Sequence, residues 1–397
     1  MTALSYSLTA PHVLADPADA YRELREKCPV HFEQTSDYSL FTVAALDDVM
    51  EVLLHPDQWS NAKGPGVKKS ASVGDVQHDD PPIHTHRRRF LRDPFLPSAV
   101  NRTASQIRAT AESLADDLLA SGVGRCELNH DFALALPVAS FCALLGVDID
   151  DRDQFSRWAD DMVAGMAYQD SGREGRTGIG RFARQQIEAR RELHKRGEEL
   201  PDGFLSYVAT APYSEAGELM PIEEAVNTVS QFLVAGHETT TSLITNLMWR
   251  VLDSPSLWRQ LVDDPSLIDV AIEESLRFDP PVLGLCRTSN APATVGGVDI
   301  PEDSKVMVLY ASANRDPQLF PSPDEFRLDR SLTDTKKHLS FSWGIHYCLG
   351  AGLARLTGRI AIETLVSRFP SMRLDGPTKR LDAPFLWGRK VLPVAWD

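Results

Sequence analysis

The stretch Phe341-Ser342-Trp343-Gly344-Ile345-His346-Tyr347-Cys348-Leu349-Gly350 decides how the rest of the chain is interpreted. Trp343-Gly344 interrupts regular structure, and apolar residues then recur at about the 3.6-residue period of a helix. The recurring positions are Leu349, Leu353, Leu356, Ile360, Leu365 and Phe369. Cys348 is therefore expected just before this helix or in its first turn, where unpaired N–H groups and the helix dipole favour an anionic sulfur.

The residues around Cys348 are small, and they leave both sides of the sulfur open. They are Gly344, Gly350, Ala351, Gly352 and Ala354. A large flat ligand can approach such a backbone, and a haem with the thiolate as its axial ligand fits the pattern. Two alternatives remain open at this point. Cys348 can be an ordinary buried thiol, or it can join His346 in a zinc site, although no second pair at metal-binding spacing lies nearby.

The stretch resembles the cysteine loop of the cytochrome P-450 superfamily, and in particular that of its soluble bacterial haem-thiolate monooxygenases. The matching positions are Phe341, Gly344, His346, Cys348 and Gly350. The resemblance implies that these residues surround haem b and that Cys348 is the axial ligand of the haem iron. It also implies a mainly α fold with small β-sheets, in which the haem lies between a long central helix and the Cys348 helix.

Composition limits the possible partners and the location. The 397 residues carry a formal net charge of −15, which argues against a nucleic-acid partner. The cysteines show no CxxC spacing, as expected in a reducing compartment. Residues 1–17 contain neither a basic segment nor a long apolar run, so no signal peptide or membrane anchor is expected. We therefore expect a cytoplasmic monomer in which residues 1–397 form one domain.

A long apolar segment from Pro221 to about Leu252 is predicted to form one helix, because proline suits the first helical position. Its middle carries the polar cluster Ala235-Gly236-His237-Glu238-Thr239-Thr240-Thr241. Burying such groups is costly unless they have partners or a task. The threonines can have a structural role, by hydrogen bonding to carbonyls four residues earlier. Alternatively, the cluster can line a groove for oxygen activation.

The cluster is similar to the A-G-x-[D/E]-T motif of the same family. The resemblance implies that Ala235 and Gly236 lie against haem and dioxygen, and that Glu238 and Thr239 are the catalytic acid–alcohol pair. Thr239 would steady a water molecule, and Glu238 would relay protons, which is a form of general acid catalysis. His237 lies about 100° away around the helix, so we expect it to be structural.

A basic segment follows Asp80-Pro81-Pro82 and begins the next helix. His84 and Arg88 are four residues apart and therefore share one helical face. Such a run can simply be solvated. It is, however, similar to the family's D-P-P-x-H-x-x-x-R segment, in which the His and the Arg bind a haem propionate. Arginine holds a carboxylate through two parallel hydrogen bonds.

The same resemblance implies that Arg287 and His346 also contact haem propionates. Arg87 and Arg89 are expected to point elsewhere and to help dock an acidic electron donor. No reductase or ferredoxin sequence is fused to the chain, so electrons are expected to come from a separate ferredoxin and its reductase, which draw on NAD(P)H.

Glu274 and Arg277 lie three residues apart on one predicted helix and can pair. Surface pairs of this kind are common and contribute little. The pair is similar to the family's E-x-x-R motif, and Arg330 resembles its third partner. The resemblance implies a structural role for all three residues, which would hold the core that positions Cys348.

The predicted substrate pocket consists of small or apolar residues, which indicates a hydrophobic organic substrate. They are Val234, Val282, Leu283, Gly284 and Leu386. Leu386 can equally belong to the core. Residues 60–79 are rich in Gly, Ser, Lys and Pro, and this loop can be a surface connection or, as in the family, a cover over the pocket. Lys63, Lys68 and Lys69 can meet a substrate carboxylate or face solvent.

The remaining patterns predict a mainly helical chain. Helices are expected at 17–28, from Asp47 as cap to Leu54, and at 103–120, 132–145, 151–168 and 178–195, with glycines interrupting the last pair. A hairpin is expected at 29–45 and strands at 293–310, with 390–396 pairing with the latter strands.

The resemblance implies a monooxygenase that inserts one atom of O2 into its substrate by hydroxylation, O-dealkylation or epoxidation. Two rivals remain. A peroxygenase of the same fold would use hydrogen peroxide, but the presence of Glu238 and Thr239 argues for the O2-dependent route. A non-catalytic haem-binding partner would be expected to lack the thiolate or the acid–alcohol pair.

Overall fold

The computed structural model describes residues 6–72, 74–147, 157, 158, 161 and 173–397, and of residues 173–176 and 233 it describes the backbone alone. Helices make up most of the described chain. They are α1 (Pro11–Ala15), α2 (Ala18–Lys27), α3 (Leu46–Leu54), α4 (Ile83–Arg92), α5 (Pro97–Arg102), α6 (Ala104–Ala120), α7 (Ala135–Leu145), α8 (Arg173–Lys195), α9 (Phe204–Thr210), α10 (Ile222–Asp253), α11 (Pro255–Asp263), α12 (Ile268–Phe278), α13 (Tyr310–Ala313), α14 (Leu332–Thr335) and α15 (Ala351–Arg368).

The strands are short and form small sheets. They are β1 (Val30–Gln34), β2 (Ser39–Val43), β3 (Trp59–Ser60), β4 (Arg125–Glu127), β5 (Leu285–Ser289), β6 (Ala293–Val295), β7 (Val298–Ile300), β8 (Lys305–Val308), β9 (Arg373–Leu374), β10 (Lys379–Arg380), β11 (Arg389–Val391) and β12 (Pro393–Ala395). The largest sheet has the order β1-β2-β8-β5-β3, in which only the β2–β8 pair is parallel. The expected fold class, mainly α with small sheets, is confirmed.

The 32-residue helix α10 connects two apolar cores. Ala225, Val226 and Val229 in its first half belong to the core that includes α8 and α9. Its second half, including Leu247 and Met248, belongs to the core that includes α6, α12 and α15. The polar middle of α10 therefore lies between two well-packed regions, where its groups are held in place from both sides.

Several predicted elements are confirmed. The helix expected at 17–28 is α2, the hairpin at 29–45 is β1–β2, the helix at 103–120 is α6, and the long central helix is α10. The helix predicted at 151–168 lies outside the described residues. That residues 1–397 form a single domain stays a prediction.

Two predicted helix boundaries are wrong. Asp47 does not cap α3: the N-cap is Ala45, and Asp47 lies in the first turn, where its charge favours the helix dipole. The helix expected to begin at 178 begins at Arg173 and continues through three glycines. A Cβ on Gly178 would lie 2.3 Å from the Trp158 ring. This glycine therefore permits close packing and does not end the helix.

The predicted pairing of the C-terminal strand is also wrong. β12 pairs with β4 and β9, so that Val394 lies opposite Cys126 and Leu374, and β11 pairs with β10. None of these is a strand of the 293–310 segment. Alternation of apolar residues indicates a strand but carries no information about its partner, which depends on how the helices bring distant segments together.

Candidate active site

The cysteine loop enters α15 as predicted. Gly350 is the N-cap of α15, and the N–H of Cys348 donates to the carbonyl of Phe341 at 2.9 Å, so Cys348 lies just before the helix. Gly344 has a φ of +70°, and a Cβ there would lie 2.7 Å from the carbonyl oxygen of Leu53. Glycine is therefore required at this position for both conformation and space.

Cys348 is exposed to solvent, and the surrounding protein atoms remove enough water from its sulfur to raise the pKa of the thiol. The N–H groups of Gly350 and Ala351 and the positive charges of Arg88 and Arg355 lower that pKa and so act in the opposite direction. These groups favour the anionic sulfur, and a bound metal cation deprotonates a coordinating thiol outright.

Helices α10 and α15 pack closely near Gly358, whereas α10 faces open space near Gly236. A Cβ on Gly358 of α15 would lie 3.2 Å from Leu243 of α10. Gly236 lies seven residues before Leu243 on the same helical face, yet a Cβ on Gly236 would meet no atom within 4 Å. Ala235 beside it is exposed, although it lies in the middle of α10. The predicted haem and oxygen face of α10 therefore borders open space.

The polar cluster of α10 makes the back-bonds of the structural alternative. The Thr239 hydroxyl donates to the Ala235 carbonyl at 2.7 Å, and the Thr241 hydroxyl donates to the His237 carbonyl at 3.0 Å. Thr239 remains partly exposed, whereas Thr241 is buried. Because the Thr239 proton is committed to a carbonyl, the oxygen of this hydroxyl still has lone pairs to offer to the open space.

Glu238 is buried and accepts a hydrogen bond from the Ser242 hydroxyl at 3.2 Å. Ser242 lies four residues later and next to Gly388, where any side chain would collide with it. The Ser242 contact thus orients the Glu238 side chain toward Gly388, in the connection between β10 and β11. Thr239 is the next residue of α10 and points about 100° away around the helix axis. Buried His237 lies on the same helix, and the structural role expected for it stays a prediction.

Four basic side chains, His84, Arg88, Arg287 and His346, lie close together. The nearby Asp80 carboxylate acts to raise the pKa of His84, but it accepts hydrogen bonds from the Ser60 hydroxyl and the N–H of Asn61. The rings of His84 and His346 are 4.4 Å apart between centroids, and the Nε2 atom of each is buried without a hydrogen-bond partner. Burial lowers the pKa of His84 to about 4 and that of His346 to about 2, and the charges of Arg287 and Arg88 lower the latter further. Arg88 donates to the Tyr347 carbonyl and Arg287 to the Cys286 carbonyl.

Neither Arg88 nor Arg287 forms an ion pair within the part of the chain that the structure describes. Arg287 is buried and Arg88 is half-buried, and guanidinium charges in such positions are unfavourable unless an anion joins them. The cluster lies beside the cysteine loop, because His346 belongs to that loop and Arg88 contacts Tyr347. It therefore fits the carboxylates of a haem whose iron is held by Cys348.

Arg87 does not point to solvent, so the expectation that it helps dock an electron donor is wrong. It is buried, and its guanidinium donates to Asp79 at 2.5 Å and to Glu224 at 2.6 Å. Asp79 is the last residue of the 60–79 loop, and Glu224 lies in the first turn of α10. Arg87 thus ties the loop to the central helix. Arg89 is exposed, and its docking role stays a prediction.

The Glu274 network is fully buried. Arg277 donates to both Glu274 carboxylate oxygens, at 2.7 and 2.8 Å, and neither side chain is exposed. The Nε of Arg330 donates to the same carboxylate at 3.1 Å, and the N–H of Arg327 at 3.0 Å. Sequence analysis predicted this triad but missed the neighbouring Glu273, whose ion pair with Arg355 joins α12 to α15 at 2.6 Å. The available signal was the adjacency of the two glutamates.

Of the five predicted pocket residues, two pair through their backbones and the other three pack into the interior. Val282 and Leu386 form an isolated β-bridge, which joins the segment after α12 to the C-terminal hairpin. Leu283 instead packs into the core with Met307. A Cβ on Gly284 would lie 2.5 Å from the backbone of β8. Buried Val234 belongs to the core beside α8 and α9. The substrate-binding role of all five residues stays a prediction.

The loop at 60–79 is anchored on two sides. The carbonyl of Pro65 accepts a hydrogen bond from the N–H of Cys286 at 2.7 Å, and the carbonyl of Gly74 accepts one from Thr228 of α10 at 2.8 Å. Lys63 and Lys69 both bind Asp303, at 2.5 and 2.6 Å. These two lysines therefore have a carboxylate partner within the chain, and the loop spans the region between the largest sheet and the central helix.

Comparisons with known proteins agree with this geometry. A family model described as Cytochrome P450 matches residues 260–388. The chain is 33% identical over 391 residues to cytochrome P450 monooxygenase PikC of Streptomyces venezuelae, covering 96% of this chain and 91% of that protein. It is 32% identical over 366 residues to vitamin D(3) 25-hydroxylase of Pseudonocardia autotrophica, covering 90% and 88%.

A solved structure, P450BioI in complex with hexadec-9Z-enoic acid ligated acyl carrier protein, is similar with a TM-score of 0.86 at 27% identity, covering 97% of this chain and 100% of that chain. The fold and the site together define an oxidoreductase of the monooxygenase class. The chain belongs to the cytochrome P450 family, whose members use haem and dioxygen. Among the described residues, no helix combines the length and the apolar character needed to cross a bilayer.

Proposed function

We propose that this monooxygenase binds haem b through Cys348 and inserts one oxygen atom into a large, mainly apolar organic molecule. Its electrons come from a separate ferredoxin and an NAD(P)H-dependent reductase. The observation that carries the proposal is the open face of α10, where Gly236 borders empty space and Thr239 remains partly exposed beside it. The reaction is a hydroxylation, an O-dealkylation or an epoxidation.

The haem supplies the redox chemistry of oxygen activation, and the chain supplies its binding and the control of protons. Cys348 would hold the haem iron as a thiolate. Arg88, Arg287, His84 and His346 would hold the propionates, since neither arginine forms an ion pair among the described residues and the Nε2 atoms of both histidines are buried without a hydrogen-bond partner. Phe341, Gly344 and Gly350 shape the loop beside the haem.

Thr239 and Glu238 control protons on the opposite side. The Thr239 oxygen accepts a hydrogen bond from a water in the open space, because its own proton is donated to Ala235. Glu238, buried beside Ser242, exchanges a proton with that water after its side chain turns or through a second water. Their adjacency places an acid and a hydroxyl at one point of the helix.

The substrate is expected to be large and apolar. Val234, Val282 and Leu386 carry no charge, and two of the lysines in the 60–79 loop, Lys63 and Lys69, are paired with Asp303. One relative is named for hydroxylation of vitamin D(3), and a solved neighbour holds a hexadecenoic acid on its carrier protein. Both molecules are long and mainly apolar, which agrees with this lining.

Changing Thr239 to alanine tests the proposed function. Haem content and substrate binding are expected to match those of the parent, whereas most NAD(P)H electrons leave as hydrogen peroxide and the rate of product formation falls by about 10²-fold, the lower end of the usual contribution of a proton-transfer group. Thr241→Ala is the matched control, because Thr241 makes the same back-bond from a buried position. Unchanged coupling in Thr239→Ala would show that this hydroxyl does not serve the oxygen side.

The same preparations separate the O2-dependent enzyme from a peroxygenase. The parent is expected to turn over with ferredoxin, reductase and NAD(P)H. Turnover driven by hydrogen peroxide, with no gain from these partners, would favour the peroxygenase instead. A protein that binds haem but turns over under neither condition would support the non-catalytic alternative.

A screen for low-to-high spin shifts will identify the substrate class. Sterols, terpenes, macrolides and fatty acids are expected to shift the Soret band, because an apolar ligand gains affinity when it displaces poorly ordered water from an apolar pocket. Shifts confined to small polar or multiply charged compounds would contradict the apolar assignment.

A further inference from the structure

Two neighbouring glutamates of α12 lead to separate networks. Glu274 binds Arg277 and Arg330, as described above. The buried carboxylate of Glu273 instead accepts hydrogen bonds from Arg355 at 2.6 and 2.9 Å and lies 3.0 Å from the Nε2 of His338. Adjacent residues on a helix face different directions, so the two carboxylates reach different parts of the fold.

The Glu273 network ends on the cysteine loop. The guanidinium of Arg355 lies 4.5 Å from the centre of the Phe341 ring, and its Nη1 donates to the Tyr347 hydroxyl at 3.2 Å. Phe341 accepts the backbone hydrogen bond of Cys348, and Tyr347 directly precedes Cys348. Arg355 therefore contacts the loop at Phe341 and at the residue directly before Cys348.

The Glu274 network ends elsewhere. Arg277 donates to the carbonyls of Asn314, Pro323 and Glu325, none of which belongs to the 341–350 loop. Among the described residues, the ion pair in direct contact with the cysteine loop is thus Glu273–Arg355. The triad of Glu274, Arg277 and Arg330, which the family resemblance predicts, is more distant from the cysteine loop.

His338 is neutral in this arrangement. The N–H of Ser340 donates to its Nδ1, so Nδ1 carries the lone pair and Nε2 carries the proton donated to Glu273. Burial lowers the pKa of His338, which agrees with a neutral ring. Burial acts to raise the pKa of Glu273, but the hydrogen bonds from His338 and Arg355 lower it to about 2. Arg355 alone therefore balances the charge of Glu273.

We propose that Glu273 and Arg355 are positioning residues that set the geometry and the electron-donating strength of the Cys348 thiolate. The Arg355 guanidinium contacts Phe341 and Tyr347. Glu273 holds this guanidinium in position through two hydrogen bonds and offsets its positive charge. The inference rests on the proposed ligation of haem iron by Cys348. Hydrogen bonding and charge near a thiolate ligand are among the means by which a protein tunes haem.

Removing either partner shifts the midpoint potential of the bound haem, and the two shifts have opposite signs. A nearby positive charge stabilises the reduced state, which carries one more electron. Arg355→Met removes that charge and is expected to lower the potential. Glu273→Gln leaves Arg355 uncompensated and is expected to raise it. The double variant is expected to lie between the two.

The chain offers a matched control one helical turn away. Asp269 and Arg359 form an ion pair at 2.7 Å between the same two helices, with side chains 41% and 46% exposed. Solvent screens such a pair, and among the described residues no hydrogen bond or ion pair joins either side chain to the cysteine loop. Asp269→Asn and Arg359→Met are expected to leave the midpoint potential and the Soret spectrum of the ferrous carbon monoxide complex unchanged.

The stability of the ligation provides the second readout. On mild heating, Arg355→Met is expected to lose the thiolate-specific Soret band on the order of tenfold faster than the parent, a size typical of residues in one network. Arg355→Lys keeps the charge but not the two-pronged contact. It is therefore expected to hold the parent potential while losing the band faster.

Equal shifts in the Arg355 and Arg359 variants, or no shift in either, would overturn the proposal and leave the pair a plain structural bridge. Shifts of the same sign in Glu273→Gln and Arg355→Met would overturn the electrostatic part. A parent protein that lacks the thiolate-specific band would instead refute the ligation by Cys348, so the two failures are distinguishable.

Discussion

Replacing Cys348 with alanine is expected to abolish the red-shifted Soret band of the ferrous carbon monoxide complex while the chain stays folded. The Cys348 side chain is exposed to solvent, so its removal takes little packing from the core. The sulfur is the proposed axial ligand, and a thiolate ligand donates electron density to the iron. Visible spectroscopy of the reduced, carbon monoxide-treated protein measures the band, and circular dichroism measures the fold.

Cys126→Ala is the matched control for this prediction. Burial, together with the nearby charges of Asp131 and Glu127, raises the pKa of Cys126 to about 12. Its sulfur therefore stays a neutral thiol near pH 7 and is a poor ligand. The control is expected to keep the band. A band retained in Cys348→Ala, or lost in Cys126→Ala, would mean that another residue holds the iron.

Changing Glu274 to glutamine is expected to lower the free energy of unfolding by about 3–5 kcal/mol, the usual cost of breaking a buried ion pair by removing one partner. The substitution keeps the shape of the side chain but leaves the charge of Arg277 buried without its carboxylate. The Arg330 and Arg327 contacts weaken at the same time. Chemical denaturation followed by circular dichroism measures the effect.

Asp329→Asn is the control for Glu274→Gln. Asp329 binds the side chain of Arg327 at 2.8 Å, but the pair lies at the surface and is screened by solvent. Its loss is expected to leave the denaturation midpoint unchanged. Equal stability of the parent and of Glu274→Gln would show that the triad of Glu274, Arg277 and Arg330 does not hold the core.

Local patterns in the sequence predicted the parts of the site that are built from neighbouring residues. The position of Cys348 before α15 follows from Gly344, Gly350 and the apolar period that begins at Leu349. The Thr239 back-bond follows from the spacing of one helical turn. Such features depend on backbone geometry within a few residues, and short stretches of sequence specify that geometry directly.

Errors arose where burial or a distant partner decided the outcome. Arg87 was expected at the surface because a basic run usually is. The fold instead brings Asp79 and Glu224 to either side of Arg87, and burial then becomes tolerable because both carboxylates pair with it. The strand near Val394 was recognised, but its neighbours lie in segments more than 200 residues earlier and about 20 residues earlier in the chain.

The sequence by itself determined the class of protein and predicts which cysteine would bind iron and which helix would face oxygen, because each depends on a short motif with fixed spacing. Only the tertiary structure decided that Glu273, His338 and Arg355 meet behind the cysteine loop, and that Arg87 closes the base of the covering loop. These contacts join residues that are far apart in the chain, and packing of whole helices brings them within hydrogen-bonding distance.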